Sequence, residues 1–310
     1  MRTNGSRREF LKLAAGAAAG GVGVSLVPRC LSAAGPGDKA TAGGCGDWPF
    51  FALCMDVHDT KRRNLSQQAE MLKKLGYSGA GHLWLGKVAE RIETLDAAGL
   101  TLWQIYMRLN VAQGAKQTYD PKLKEVLPLL KSRPTMLALL VNGGKPSDQA
   151  GDPRAVELIR EIADLARPFG VKLALYPHVG HWLEKVSDGV RLAKKVDRPN
   201  VGVMFNLCHF LKTNDEKDIR LELVKAGSRL MAVTINGSPT GAQVRAGKGK
   251  WTAPLDEGDF DMGGLLATLK AVGYKGPVGL QCYGQRSDAA EHLARSMATW
   301  RKLRASVAGK

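Results

Sequence analysis

None of the five cysteines stands in a C-x-x-C pair, which excludes zinc-ribbon and thioredoxin-like spacing. Beyond the first thirty-odd residues, no stretch holds the roughly 18 consecutive apolar residues that a membrane span needs. No long basic block occurs. The net charge of +16 is therefore spread over helix faces such as Lys61-Arg62-Arg63 and Lys194-Lys195 rather than gathered for nucleic acid. No glycine-rich phosphate fingerprint follows the first strand candidate, which argues against a doubly wound nucleotide-binding sheet. Carboxylates are scarce where the strands end, and that scarcity shapes the functional reading below.

The N-terminus has its own pattern. Ser6-Arg7-Arg8-Glu9-Phe10-Leu11-Lys12 precedes a small, apolar Ala/Gly-rich run from Leu13 to Val27, and Ser32-Ala33-Ala34 offers small residues for cleavage. Basic, apolar and small-residue regions in that order resemble a twin-arginine export signal over residues 1–34, with a flexible Gly/Ala-rich lead-in over 35–47. The expectation is a bacterial, periplasmic or otherwise extracytoplasmic protein. Pro28-Arg29 makes Cys30 a poor lipidation site. Losing the signal removes five basic residues and one acidic residue, lowering +16 to +12. Of the remaining cysteines, Cys45, Cys54, Cys208 and Cys282, three fall in or beside strands, where free buried thiols are common, and no disulfide is assigned.

From Trp48 onward, apolar strand-like runs alternate with amphipathic helical ones. Strands are expected at Trp48–Asp56, Ser78–Leu83, Leu100–Met107, Thr135–Val141, Val171–His178, Asn200–His209, Leu230–Ile235 and Pro277–Cys282. The helices between them run Asn64–Leu75, Lys87–Ala98, Pro121–Lys131, Asp152–Phe169, Trp182–Lys195, Asp215–Ala226, Phe260–Val272 and Asp288–Leu303, with Asp152-Pro153 as a start signal. Eight units in strict alternation predict a single (β/α)₈ TIM barrel over 48–310.

In such a barrel the residues closing each strand share one mouth. They are Asp56 and His58; His82 and Trp84; Gln104 and Tyr106; Asn142; Tyr176 and His178; Asn206 and His209; Thr234 and Asn236; Gln281 and Tyr283. Amides, tyrosines and imidazoles pair well with hydroxyl groups that both donate and accept, so a sugar is the expected ligand. His178 and His209 are the candidate acid and base, because an imidazole suits proton transfer near neutral pH. Asp56, His58, Gln104, Asn142, Tyr176, Asn206, Asn236 and Gln281 are the candidate substrate contacts. A transition metal held by His178, His209 and Asp56 would suit imidazole chemistry, although no cofactor is assigned.

Three stretches carry a family resemblance: Leu175-Tyr-Pro-His178, Val201-Gly-Val-Met-Phe-Asn-Leu-Cys-His209, and Leu255-Asp-Glu-Gly-Asp-Phe-Asp261 followed by Gly273-Tyr-Lys-Gly-Pro-Val-Gly-Leu-Gln281. They resemble the sugar phosphate isomerase/epimerase group with the xylose isomerase-like TIM barrel. The resemblance implies a single divalent metal held by Glu, Asp, His and Glu from strands five to eight. Those seats carry Tyr176, Asn206, Thr234 and Gln281 here, so the usual metal ligands are missing, whereas the histidines it implies near substrate remain as His178 and His209. It also implies that copies can pair into a homo-oligomer. Its endonuclease branch needs a crowded His/Asp/Glu cluster, which these strand ends lack, so no nucleic acid is expected. Two readings stay open: a sugar isomerase, epimerase or keto-sugar lyase using histidine-assisted proton transfer, and a non-catalytic carbohydrate-binding barrel.

Overall fold

A computed structural model describes residues 47–53 and 55–308. The export signal over 1–34, nearly all of the lead-in, and Cys30, Cys45 and Cys54 lie outside the described residues. Eight strands form the barrel: β1 (Phe50–Leu53), β2 (Gly79–Leu83), β3 (Thr101–Asn110), β4 (Met136–Asn142), β5 (Lys172–Leu175), β6 (Val201–Asn206), β7 (Leu230–Ile235) and β8 (Val278–Gln281). Each pairs in parallel with the next, and β1 pairs with β8 to close the circle. The expected (β/α)₈ barrel is the observed one.

The helices are α1 (Met55–His58), α2 (Leu65–Leu75), α3 (Val88–Ala98), α4 (Leu123–Val126), α5 (Asp152–Ala166), α6 (Val186–Val196), α7 (Leu207–Thr213), α8 (Ile219–Ala226), α9 (Gly241–Arg245), α10 (Met262–Ala271) and α11 (Ala289–Ala308). Strand residues of one parity pack outward against these helices. The other parity fills the barrel with Phe51, Leu53, Met136, Ala138, Ala174, Met204 and Ala232. Gly81 and Gly279 leave the room that Leu53 and Phe51 occupy: a Cβ would lie 2.0 Å from Leu53 Cδ1 or 2.6 Å from Phe51 Cζ.

Several boundaries differ from expectation for local reasons. The first strand stops at Leu53 and α1 begins at Met55. The helix expected at Pro121–Lys131 tightens into a 3₁₀ turn at Leu127–Leu130, where Pro128 supplies no N–H. The sixth strand ends at Asn206, whose side chain caps α7, so His209 stands on a helix rather than a strand. Asp152 opens α5 without capping it; its carboxylate instead pairs with Arg191 and Lys195 on α6. At α2 the expected start holds, because Asn64 and Gln67 form a reciprocal capping box.

Candidate active site

The ends of β5, β6 and β8 converge on one atom. Tyr176, directly after β5, is 1% exposed. Its hydroxyl oxygen accepts from Asn206 Nδ2 at 2.6 Å and from Gln281 Nε2 at 3.4 Å. Both amides are held in that orientation by donors to their oxygens. Cys208 Sγ donates to Asn206 Oδ1 at 2.9 Å, helped by a longer contact from His209 N, and Tyr283 N donates to Gln281 Oε1 at 3.1 Å. The NH₂ groups are thereby left facing the phenol. Tyr106 stacks on the Tyr176 ring, with centroids 5.3 Å apart and planes 9° apart.

Above this centre the imidazoles form a stack. His178 lies 3.9 Å from His209 and 4.0 Å from His181, centroid to centroid, with interplanar angles of 38° and 25°. The Tyr176 ring meets His178 and His209 edge-on at 5.9 and 5.6 Å. Nδ1 of His178 is 2.8 Å from the Val179 carbonyl oxygen, to which it must donate, so the lone pair sits on Nε2. Burial depresses the pKa of His178, only partly offset by that bond. His181 is pushed down to about 4 by burial, then by His178 and Arg108. His209 falls well below the ordinary imidazole range through burial, then through His178 and His181. All three rings are neutral at pH 7. Burial likewise pushes the Cys208 thiol up, so it is no nucleophile.

Of the other residues expected at the mouth, Thr234 is buried opposite Asn206 in the β6–β7 register, and its hydroxyl has no hydrogen-bond partner among the described residues. Gln104 is fully buried inside the barrel. Asn236 Nδ2 donates to the carbonyls of Gly237 and Trp251, anchoring the loop after β7. His58 packs edge-on against Tyr283, 4.7 Å between centroids. Asn142 lines a separate cavity with Tyr106. His82 faces α3, bonded to the Gly86 carbonyl and Arg91. The Asp56 side chain lies outside the described residues. The sequence reading missed three residues. His181 follows His178 by three positions, a signal that was available. Trp251, edge-on to His209 at 5.4 Å, arrives from a long loop with no signal. Arg108 reaches the mouth because β3 runs three residues past its expected end.

A family model described as the xylose isomerase-like TIM barrel matches residues 126–303, more than half of the chain. The chain belongs to the xylose isomerase-like TIM barrel family. An inosose isomerase from Bacillus licheniformis is 29% identical over 136 residues, which is 42% of this chain and 46% of that protein. The chain thus matches about half the length of that relative. Among solved structures, a D-psicose 3-epimerase from Clostridium cellulolyticum H10 superposes with a TM-score of 0.62 at 17% identity, covering 84% of this chain and 99% of that one. A 3-keto-D-glucoside 4-epimerase from E. coli gives 0.64 at 15% identity, covering 82% and 99%. At such identities these likenesses establish the fold.

The divalent cation that the family implies does not suit the donors found here. Tyr176, Asn206 and Gln281 are uncharged side chains, and the two amides turn hydrogens, not oxygens, toward the centre. Among the described residues no three His, Cys, Asp or Glu side chains are placed to share an ion.

Proposed function

We propose that the chain is a carbohydrate-active enzyme, an isomerase, epimerase or lyase that moves a proton next to the carbonyl of a keto-sugar. The supporting observation is the neutral His178, with its Nε2 lone pair available, whose ring meets edge-on the ring of Tyr176, a tyrosine whose hydroxyl two amides polarise. His178 takes the proton from the carbon beside the carbonyl. Negative charge collects on the carbonyl oxygen, where the Tyr176 O–H group stabilises it. Asn206 and Gln281 then stabilise the charge passed to the phenol oxygen. Redelivery of the proton gives an isomer or epimer, and loss of a β-substituent gives elimination. The similarity to an inosose isomerase and to sugar epimerases supports a sugar substrate. The twin-arginine-like leader supports an extracytoplasmic site of action and hence an unphosphorylated sugar.

The test is turnover on a panel of keto-sugars and glycosides, with metal content measured on protein purified without chelator. Turnover that persists after metal removal and disappears in His178→Ala is the expected result. Sugar affinity with no turnover and no metal would replace this reading with the carbohydrate-binding barrel, which the tied amides of the centre would equally suit.

A further inference from the structure

A cavity of about 410 Å³ opens beside this centre, over the ends of β2, β3 and β4. Its wall includes Trp84, Tyr106, Arg108, Asn110, Gln117 and Asn142. Tyr106 belongs to both places, lining the cavity while stacking on Tyr176. Arg108 is exposed and makes no ion pair among the described residues. Its guanidinium lies 4.2 Å from the centre of the Trp84 ring. Trp84 is 37% exposed and has φ +66°, a left-handed conformation that strains a bulky residue and tends to occur where function holds it. The strain leaves an aromatic face at the rim that steadies the guanidinium without neutralising it. Asn110 adds a donor: its Oδ1 is taken by Ala112 N–H, so the amide nitrogen is the end left for a ligand.

We propose that this cavity seats a carboxylate on the sugar, making the substrate class a sugar acid; this rests on the carbohydrate reading above. A guanidinium fork with a neighbouring amide donor matches the two oxygens of a carboxylate. The charge count favours a monoanion over a phosphate. The other charged side chain on the wall is Asp120, whose Oδ1 accepts from Lys122 N–H, and a dianion beside it would lack a second cation. The surplus of positive charge over the whole chain favours encounter with any anion, so discrimination falls to Arg108.

Calorimetry on the full chain decides this, with D-glucuronate and D-galacturonate set against glucose, galactose and their 6-phosphates. The expected result is a uronate preference of about tenfold or more over the parent sugar, the scale of one charge-assisted contact. That preference should vanish in Arg108→Gln and return in part in Arg108→Lys, which keeps the charge but not the fork. It should survive in His178→Ala, which separates this proposal from the one about turnover. Equal affinities, a preference untouched by Arg108→Gln, tighter binding of the phosphates, or no binding of any of these sugars would overturn it.

Discussion

Tyr176 draws three strand ends together through a single oxygen. Its oxygen occupies the meeting point of β5, β6 and β8, and amide hydrogens surround it. Replacing Tyr176 by Phe removes the hydroxyl and keeps the ring that Tyr106 stacks on, so sugar binding should hold while kcat falls about 100-fold, the usual loss for one oxyanion donor. Steady-state kinetics with a separate binding measurement check this; a change in KM alone would contradict it. His178 makes a second demand. As the base of the proposed reaction it must be neutral, and burial places its pKa below the ordinary 6.5. The rate should therefore rise with pH through a value below 6.5 and stay level through neutrality, and a pH–rate profile of kcat/KM measures that limb. Tyr176, His178, Asn206, His209 and Gln281 were all legible in the sequence as polar residues at the ends of apolar runs. Their hydrogen-bond directions were not, because an amide's orientation depends on donors such as Tyr283 N–H, placed by the turn that follows.

At the scale of elements, the loop after β7 matters most. Asn236 ties it to the Trp251 carbonyl, Gly237 and Ala253 bridge in antiparallel fashion, and Trp251 reaches His209 while Lys212 lies 4.9 Å over its ring. Gly237 has no room for a side chain, since a Cβ would fall 1.9 Å from the Pro254 carbonyl oxygen and 2.5 Å from that of Glu257. Gly237→Ala should destabilise the fold by about 2–4 kcal/mol, whereas Gly86→Ala, with nothing within 4 Å of the new methyl, should stay within about 0.5 kcal/mol. Urea midpoints of the two variants provide the comparison. The sequence showed this stretch only as a long connection through Pro254, since nothing local marks where it folds back.

For the whole molecule, acid sensitivity follows from histidines kept neutral by burial. His292, on α11, is 2% exposed, and both ring nitrogens lack hydrogen-bond partners among the described residues. Burial lowers its pKa to about 4, against the pull of Asp59 and Asp288 and with a smaller push from Arg295. The unfolded chain then binds a proton near pH 6.5 that the folded one refuses until about pH 4, so stability is full above 6.5 and declines as pH falls toward 4. His181 adds to the same window. Thermal melts across this range should show a falling Tm, with a shallower slope in His292→Leu; an unchanged slope would assign the acid loss elsewhere. No helix among the described residues is long and apolar enough to cross a membrane. The sequence by itself determined the eight alternating units and the polar group closing each strand, because both follow from local periodicity and from side chains in a pleated strand taking opposite faces. Tertiary structure alone decided that two amides turn their N–H groups onto the Tyr176 oxygen, that three imidazoles pack together, and that Arg108 faces a cavity. Those outcomes depend on barrel closure, which brings residues a hundred positions apart, such as Tyr176 and Gln281, within hydrogen-bond reach.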